Sequence, residues 1–355
     1  MKKALLPEEF QQKIIRWFDK HGRKNLPWQL DKTPYRVWVS EVMLQQTQVS
    51  TVIPYFERFM QHFPTVDALS KATEDDVLHL WTGLGYYSRA RNLHQTAKKI
   101  MRDHAGLFPD TLDTLQQLKG IGRSTAGAIL ALAFQQKATI LDGNVKRVLI
   151  RFSGITEWSG EKSTLETLWR IAELFTPTKR IADYTQAMMD LGAMICVRGK
   201  PLCDVCPLER FCVAKQSGME KSLPKPKPKK ILPVKSATLL VIRHKETVFL
   251  QKRPATGIWG GLWSLPEYAG FIEENSLFER CENEFNLIPQ KIVRGVIFRH
   301  TFSHYHLDIL PIYLKVKATS TRNMTNQDEI WYNPDGQQKI GLPAPVKKIM
   351  ESGKT

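Results

Sequence analysis

The sequence predicts a multi-domain protein in which a large all-α part is followed by a smaller α+β domain. Three observations carry that expectation. Through residue 195 the apolar residues recur at helical spacing, broken by glycine and proline. Over residues 215–235 seven lysines face one glutamate, and Pro224, Pro226 and Pro228 alternate with Lys225, Lys227 and Lys229, the composition of an extended spacer. Beyond it the period shortens to that of strands. The expected boundaries are 1–214, 215–235 and 236–355.

With 355 residues, 42% of them hydrophobic, the chain is long enough for two or three domains with real cores. Lys and Arg number 51 against 35 Asp and Glu, a formal charge of +16, so the first partner to expect is an anion, and nucleic acid before a membrane. No apolar run approaches the roughly 18 residues of a membrane span, and residues 1–10 lack the apolar core of a signal peptide, so a cytosolic location is expected. Four of the five cysteines fall within residues 196–212, which favours a cofactor site in a reducing compartment over a disulfide framework.

In chain order, residues 8–20 make a helix whose Phe10, Ile14, Ile15, Trp17 and Phe18 form an inward stripe. In 34–48, Glu41, Gln45 and Gln48 share one helical face, a polar stripe for solvent or for a cleft. Residues 62–134 continue as helices with breaks at Pro64, Gly83, Gly85, Gly106 and Pro109. Within them, residues 83–92 put Tyr86 on a glycine turn beside Arg89 and Arg91, suited either to packing or to entering a base stack. Gly120 and Gly122 bracket Ile121 in a tight turn, and an apolar helix runs from Thr125 to Phe134. The free N–H groups at such a helix start grip phosphate, and Arg123 can add to them. Asp142 follows Gly122 by twenty residues.

Helices over 165–175 and 182–195 lead into Cys196, Cys203, Cys206 and Cys212, four thiolates able to ligate one compact centre, zinc or [4Fe–4S]. Arg198, Lys200, Arg210 and Lys215 make their loop basic, for phosphate or for solvent. Strands are expected over 238–243 and 248–252, a helix over 272–285 and strand-like chain over 291–317, with Cys281 a buried thiol. His300, His304 and His306 share a side at period two, but carboxylate partners for a metal are missing.

Residues 118–147 resemble the helix-hairpin-helix, Gly/Pro-rich loop and catalytic Asp of the DNA glycosylase superfamily, with Lys119 where that family usually carries proline. Residues 40–48, Ser-Glu-Val-Met-Leu-Gln-Gln-Thr-Gln, resemble its adenine-specific branch. Residues 259–266, Trp-Gly-Gly-Leu-Trp-Ser-Leu-Pro, resemble the nudix fold, although residues 270–290 lack the Arg-Glu and Glu-Glu cluster that binds Mg²⁺ there. The resemblance spans about residues 8–350.

It implies an all-α helix-hairpin-helix glycosylase with an iron–sulfur loop, followed by a nudix-like domain that binds without pyrophosphohydrolase activity. Glu41 is then the catalytic acid, and Asp142, with Asn144 beside it, the ionised stabiliser of an oxocarbenium-like sugar. Gln46 and Tyr86 fill the duplex near the lesion, while Gly120, Gly122, Arg123, Ser124 and Lys146 lie on DNA. Phe302, Ser303 and His304 read the damaged base, and Cys196, Cys203, Cys206 and Cys212 hold one [4Fe–4S] cluster. The implied substrate is double-stranded DNA with A opposite 8-oxoguanine or G, bound by a monomer. The endonuclease III branch shares the hairpin, the aspartate and the cysteines, but it carries a Schiff-base lysine at the position of Ser124 and no nudix-like domain. A bifunctional pyrimidine-lesion glycosylase/lyase, and a redox-sensing DNA-binding protein that needs neither Glu41 nor Asp142, are the alternatives.

Overall fold

The computed structural model describes residues 5–228, 231–273, 275–317 and 328–352. They fall into two compact units, one made of 1–71 with 92–229 and the other of 72–91 with 230–355. In chain order the helices up to the cysteine loop are α1 (Pro7–His21), α2 (Pro34–Leu44), α3 (Val49–His62), α4 (Val66–Lys71), α5 (Glu74–Trp81), α6 (Ser88–His104), α7 (Leu112–Gln116), α8 (Arg123–Leu132), α9 (Gly143–Ser153), α10 (Lys162–Phe175), α11 (Ile181–Asp190) and α12 (Val213–Gln216). None of the described helices is long and apolar enough to cross a membrane.

The first unit is built by helices whose apolar stripes meet. Phe10 of α1 stacks on Phe175 of α10 at 4.2 Å between centroids and meets the edge of Phe152 in α9 at 5.0 Å. Helix α2 starts where Thr33 accepts a hydrogen bond from the Arg36 N–H at 3.3 Å and Pro34 takes the first helical position. Its Val39 and Met43 are fully buried, and the helix packs on α8. In α8 every residue from Thr125 to Leu132 is buried. Gly127 is required there, because a Cβ would stand 2.3 Å from the Thr139 carbonyl oxygen. The close approach sets the path of the chain from α8 toward Asp142.

The sequence predicts one helix over 182–195, but α11 ends at Asp190 and residues Leu191–Ile195 form a π turn. The wider turn brings Gly192 against α9, where a Cβ would lie 2.5 Å from the Asn144 Cβ. The fully buried Asp190 at this junction accepts from Arg23 Nε at 2.9 Å, Arg23 Nη2 at 2.6 Å, the Arg23 backbone N–H at 2.7 Å and Gln186 Nε2 at 2.9 Å. A buried carboxylate is tolerated only with such a set of donors.

In the second unit the strands are β1 (Val234–His244), β2 (Thr247–Lys252), β3 (Trp263–Ser264), β4 (Glu267–Ala269), β5 (Ile288–Arg294), β6 (Phe298–Thr301), β7 (His306–Lys317) and β8 (Glu329–Tyr332), with helices α13 (Asn275–Phe285) and α14 (Ala344–Ser352). They form one sheet ordered β3-β2-β1-β7-β5, to which β4 adds beside β1, β6 beside β7 and β8 beside β2. At its centre β1 and β7 run parallel, with Val234 opposite His306 and Arg243 opposite Lys315. Leu240, Ile242, Leu310, Ile312 and Leu314 bury against Leu277 and Cys281 of α13. The strand-like stretch expected over 291–317 resolves into three strands, separated by the turns around Gly295 and Ser303.

Helix α5 belongs to the same compact unit as this sheet. His79 Nδ1 lies 3.1 Å from the Ile340 carbonyl oxygen, Lys252 donates to Asp75 at 3.0 Å, and Gly341 is pressed against Leu78, where a Cβ would stand 2.7 Å from the Leu78 Cβ. Sequence spacing placed residues 72–91 simply within the helical run.

Gly127→Ala is expected to destabilise the protein by about 1–3 kcal/mol in urea unfolding, since a new methyl in a full interior forces backbone shifts. Gly122→Ala, where no atom lies within 4 Å of a new Cβ, is expected to stay within about 1 kcal/mol of the parent.

Candidate active site and nucleic-acid interface

Helix α9 carries the first candidate. Asp142 is its N-cap: Oδ1 accepts from the Val145 N–H at 2.8 Å, and Asn144 Nδ2 donates to Oδ2 at 3.2 Å. Burial pushes the Asp142 carboxyl up from the ordinary range, while the Val145 N–H, Asn144 and the charge of Arg147 pull it down. Asn144 is itself oriented, since Arg147 Nη2 donates to its Oδ1 at 2.8 Å and so leaves its amide nitrogen for Asp142.

Glu41 stands near the end of α2. It keeps some accessible surface, yet its carboxyl is desolvated, and its pKa is pushed up to about 8, first by burial and then by the negative charge of Asp142. The structure thus brings Glu41 and Asp142 into electrostatic contact. Glu41 is thereby biased toward its protonated form, while Asp142, raised by burial, has the donors that favour its anion, the division that suits acid catalysis beside a developing cation.

The hairpin turn before α8 stands without proline. Gly120 has φ +82°, Thr96 Oγ1 donates to the Lys119 carbonyl at 2.9 Å, and Lys119 Nζ reaches Gln95 Oε1 at 2.8 Å, so α6 fixes the corner that proline fixes in relatives of the motif. Gly122 is the N-cap of α8 and contributes no side chain, which leaves the helix start open to an anion. Ser124 Oγ accepts from the Leu141 N–H at 3.0 Å and so anchors the approach to Asp142. Arg123, expected at a phosphate, is paired with Glu173 and lies 3.9 Å over the Trp169 ring. Lys146 is half-buried on the first turn of α9.

Gln46 and Tyr86 both have left-handed backbones, φ +59° and +49°, which is unusual for residues other than glycine. Tyr86 is half exposed, with Arg89 over its ring at 5.5 Å and the Gly85 carbonyl held by Trp81 Nε1 at 3.1 Å. Backbone strain of this kind gathers where a side chain must be presented outward.

All four clustered cysteines are half-buried. Burial pushes the Cys206 thiol up to about 12 and raises Cys203 and Cys212, and the neighbouring cysteine sulfurs add to the rise of these three. Backbone N–H groups of Leu208, Ala214 and Lys215 and the Arg151 guanidinium, 3.2 Å from the Cys196 sulfur, favour thiolates against that burial. Such N–H donors suit sulfur bound to a soft metal. Among the described residues no three His, Cys, Asp or Glu side chains converge closely enough to define a metal site by geometry alone.

Sequence reasoning missed the residues that hold this loop to α9. Arg147 donates to the carbonyls of Cys196 and Gly192, each at 2.6 Å, and Arg151 to those of Val197 at 2.8 Å and Leu223 at 2.9 Å. Two arginines four apart on an apolar helix were the available signal.

In the second unit Ser303 and His304 are exposed at the tip between β6 and β7. Phe302 closes the turn by its N–H to the Tyr305 carbonyl at 2.9 Å, and its ring meets Tyr305 at 4.8 Å, His300 at 4.7 Å and Trp259 at 5.4 Å. Two polar tips therefore stand on an aromatic base.

A helical unit with a carboxylate pair beside a hairpin, joined to a nudix-like sheet, defines a base-excision DNA glycosylase. Residues 39–174 match the HhH-GPD superfamily of base excision DNA repair proteins, and residues 237–352 match the NUDIX domain. An adenine DNA glycosylase of Buchnera aphidicola is 42% identical over 345 residues, covering 97% of each chain, and the human adenine DNA glycosylase is 33% identical over 96% of this chain and 73% of its own. A thermostable thymine-DNA glycosylase superposes with TM-score 0.55 at 25% identity over 59% of this chain and 97% of its own, and an endonuclease III bound to DNA with TM-score 0.52 at 21% identity over 61% and 100%. The chain belongs to the adenine DNA glycosylase family.

Glu41→Gln tests the acid in two ways. The folded carboxyl has its pKa raised above the unfolded value, so its burial costs stability as pH rises from about 5 toward about 8. The variant is expected to melt higher than the parent at pH 8, to differ little at pH 5, and to lose turnover at both. In the parent, the single-turnover rate is expected to fall as pH passes about 8.

Proposed function

We propose that this protein hydrolyses the N-glycosidic bond of adenine paired with 8-oxoguanine or guanine in double-stranded DNA, acting as a monomer in the bacterial cytosol. The observation that carries the chemistry is a desolvated Glu41 carboxyl, its pKa pushed up to about 8, within electrostatic reach of an N-capped Asp142. Glu41 gives its proton to the departing base, which is otherwise a poor leaving group. Asp142 faces the positive sugar that remains, and Asn144 and the Val145 N–H work against the burial that raises its pKa. Gln46 and Tyr86 take the space left in the duplex when the adenine turns out. The open start of α8, with Gly120 and Gly122, holds a backbone phosphate, and Lys146 adds charge. Arg123 joins them only by exchanging Glu173 for phosphate.

Ser124 has no amine, so base loss proceeds by hydrolysis without an efficient lyase step. Cys196, Cys203, Cys206 and Cys212 would hold one [4Fe–4S] cluster, and the N–H groups aimed at their sulfurs support a soft metal there. When bound, the cluster supplies a covalent clamp that fixes the loop carrying Arg198 and Lys200. Ser303 and His304 read the base opposite the adenine, since the hydroxyl offers both a donor and an acceptor.

The direct test is incubation with duplexes carrying A opposite 8-oxoguanine, with base loss and strand cleavage scored separately. Base loss without prompt cleavage is expected, and cleavage that keeps pace with base loss would exclude the hydrolytic reading. Asp142→Asn is expected to lose several orders of magnitude in rate while retaining duplex affinity. Anaerobically purified protein is expected to contain about four irons and to absorb broadly in the visible; zinc in their place would refute the cluster. Replacing Ser303 and His304 together by Ala is expected to reduce the preference for A opposite 8-oxoguanine over A opposite G by ten- to a hundredfold, the worth of one base-edge contact at about 1–3 kcal/mol.

A further inference from the structure

The reading of residues 302–304 has a physical continuation that leads to Tyr86. Trp259 lies under the reading loop, its ring 5.4 Å from Phe302 and 5.8 Å from His300, with the Arg253 guanidinium 5.6 Å from its own centroid. It is buried and has a left-handed backbone, φ +56°, so its peptide is held by the surroundings and not by its own preference. The next carbonyl, that of Gly260, accepts a hydrogen bond from Arg91 Nη1.

Gly260 cannot slide away from that contact. A Cβ there would stand 2.6 Å from the Ala255 carbonyl oxygen, and the following N–H, of Gly261, is bonded to the Pro254 carbonyl at 3.0 Å. On the other side, the Arg91 N–H is bonded to the Tyr87 carbonyl at 3.1 Å, and Tyr87 donates from its hydroxyl to the Leu342 carbonyl at 2.9 Å. Tyr86, exposed and left-handed, is thus flanked by a residue fixed to the sheet unit and stands one turn before another.

We propose that Arg91 and Trp259 are positioning residues that couple the 302–304 loop to the Tyr86 turn, so that engagement of the opposite base firms the presentation of Tyr86 to the duplex. The inference rests on the reading of Ser303 and His304 given above. The route is a continuous series of packed and hydrogen-bonded groups: Phe302 on Trp259, Trp259 to Gly260 along the chain, Gly260 to Arg91, and Arg91 to the Tyr86–Tyr87 turn. Coupling of this kind is reciprocal, so a well-seated Tyr86 favours the reading arrangement by the same factor.

The experiment compares single-turnover excision of A opposite 8-oxoguanine and of A opposite G in the full-length protein, its Ser303→Ala, Arg91→Met and Arg91→Lys variants, and the Ser303→Ala/Arg91→Met double variant. A 2-aminopurine beside the lesion reports insertion of Tyr86 by its fluorescence. Arg91→Met keeps the side-chain stem but removes the donor to Gly260. It is expected to lower the preference for the 8-oxoguanine duplex by about tenfold and to reduce the fluorescence rise on that duplex, with Arg91→Lys restoring most of both. In the Ser303→Ala background the same change is expected to add less than about twofold, because both act on one path. Equal losses on the two duplexes, or the same factor with and without Ser303, would overturn the coupling. An unchanged preference in Ser303→Ala alone would overturn the reading of the loop, and a lowered preference there with an unaltered one in Arg91→Met would overturn only the role of Arg91.

Discussion

The first unit depends on one constraint, the anchoring of α9 at both of its ends. Its N-terminus is capped by Asp142, the residue we propose faces the reacting sugar, and its side chains Arg147 and Arg151 donate to the carbonyls of the cysteine loop. Guanidinium groups are costly to desolvate, and these two are tolerated because carbonyl, amide and sulfur acceptors surround them. One of the donors that hold the loop also orients Asn144 beside Asp142. Arg147 bonds to Cys196, Gly192 and Asn144 together, so movement of the cysteine loop acts on the amide that faces Asp142. A metal centre held by these cysteines would reach the proposed catalytic aspartate through that one side chain.

The close glycines serve the same end. Gly127 lets the chain before Asp142 lie on α8, and Gly192 lets the π turn lie on Asn144. Each leaves out a Cβ where a second stretch of backbone approaches closely, Thr139 at Gly127 and Asn144 of α9 at Gly192. The π turn costs regular hydrogen bonding, yet it moves Gly192 into place in a way that a continued α-helix does not.

What could be read in the sequence was what lies close in the sequence. Gly120, Gly122 and Asp142 form a local pattern, as do the four cysteines, and helix α1 was readable from its stripe to within a residue or so at each end. Three things were not readable, all for long-range reasons. The charge of Arg123 is engaged by Glu173, fifty residues away, and nothing in the turn announces that. The stretch 291–317 is β-rich throughout, so its division into three strands is set by pairing with β7 and not by propensity. Residues 72–91 have the helical pattern of their neighbours, but α5 takes its hydrogen-bond partners from residues 252 and 340. The raised pKa of Glu41 was likewise unreadable, because it depends on how deeply one end of α2 is desolvated.

The membership of residues 72–91 in the sheet unit changes how the nudix-like domain should be understood. An enzyme that removes a normal base has to make excision conditional on what stands opposite, and a reader that bound separately would contribute affinity alone. Here the segment that carries Tyr86 is held by the same unit that carries Ser303 and His304. Removing the C-terminal domain therefore takes away more than the proposed reader: it also strips α5 and the Tyr86 turn of the carbonyls and side chains that fix them, among them Leu342, Ile340 and Lys252. Loss of discrimination after such a truncation could come from either cause, whereas a change confined to Ser303 or Arg91 leaves the packing of α5 in place. The left-handed backbones at Tyr86 and Trp259 give this a physical basis, since conformations that a residue does not prefer persist only while the surrounding structure over-determines them.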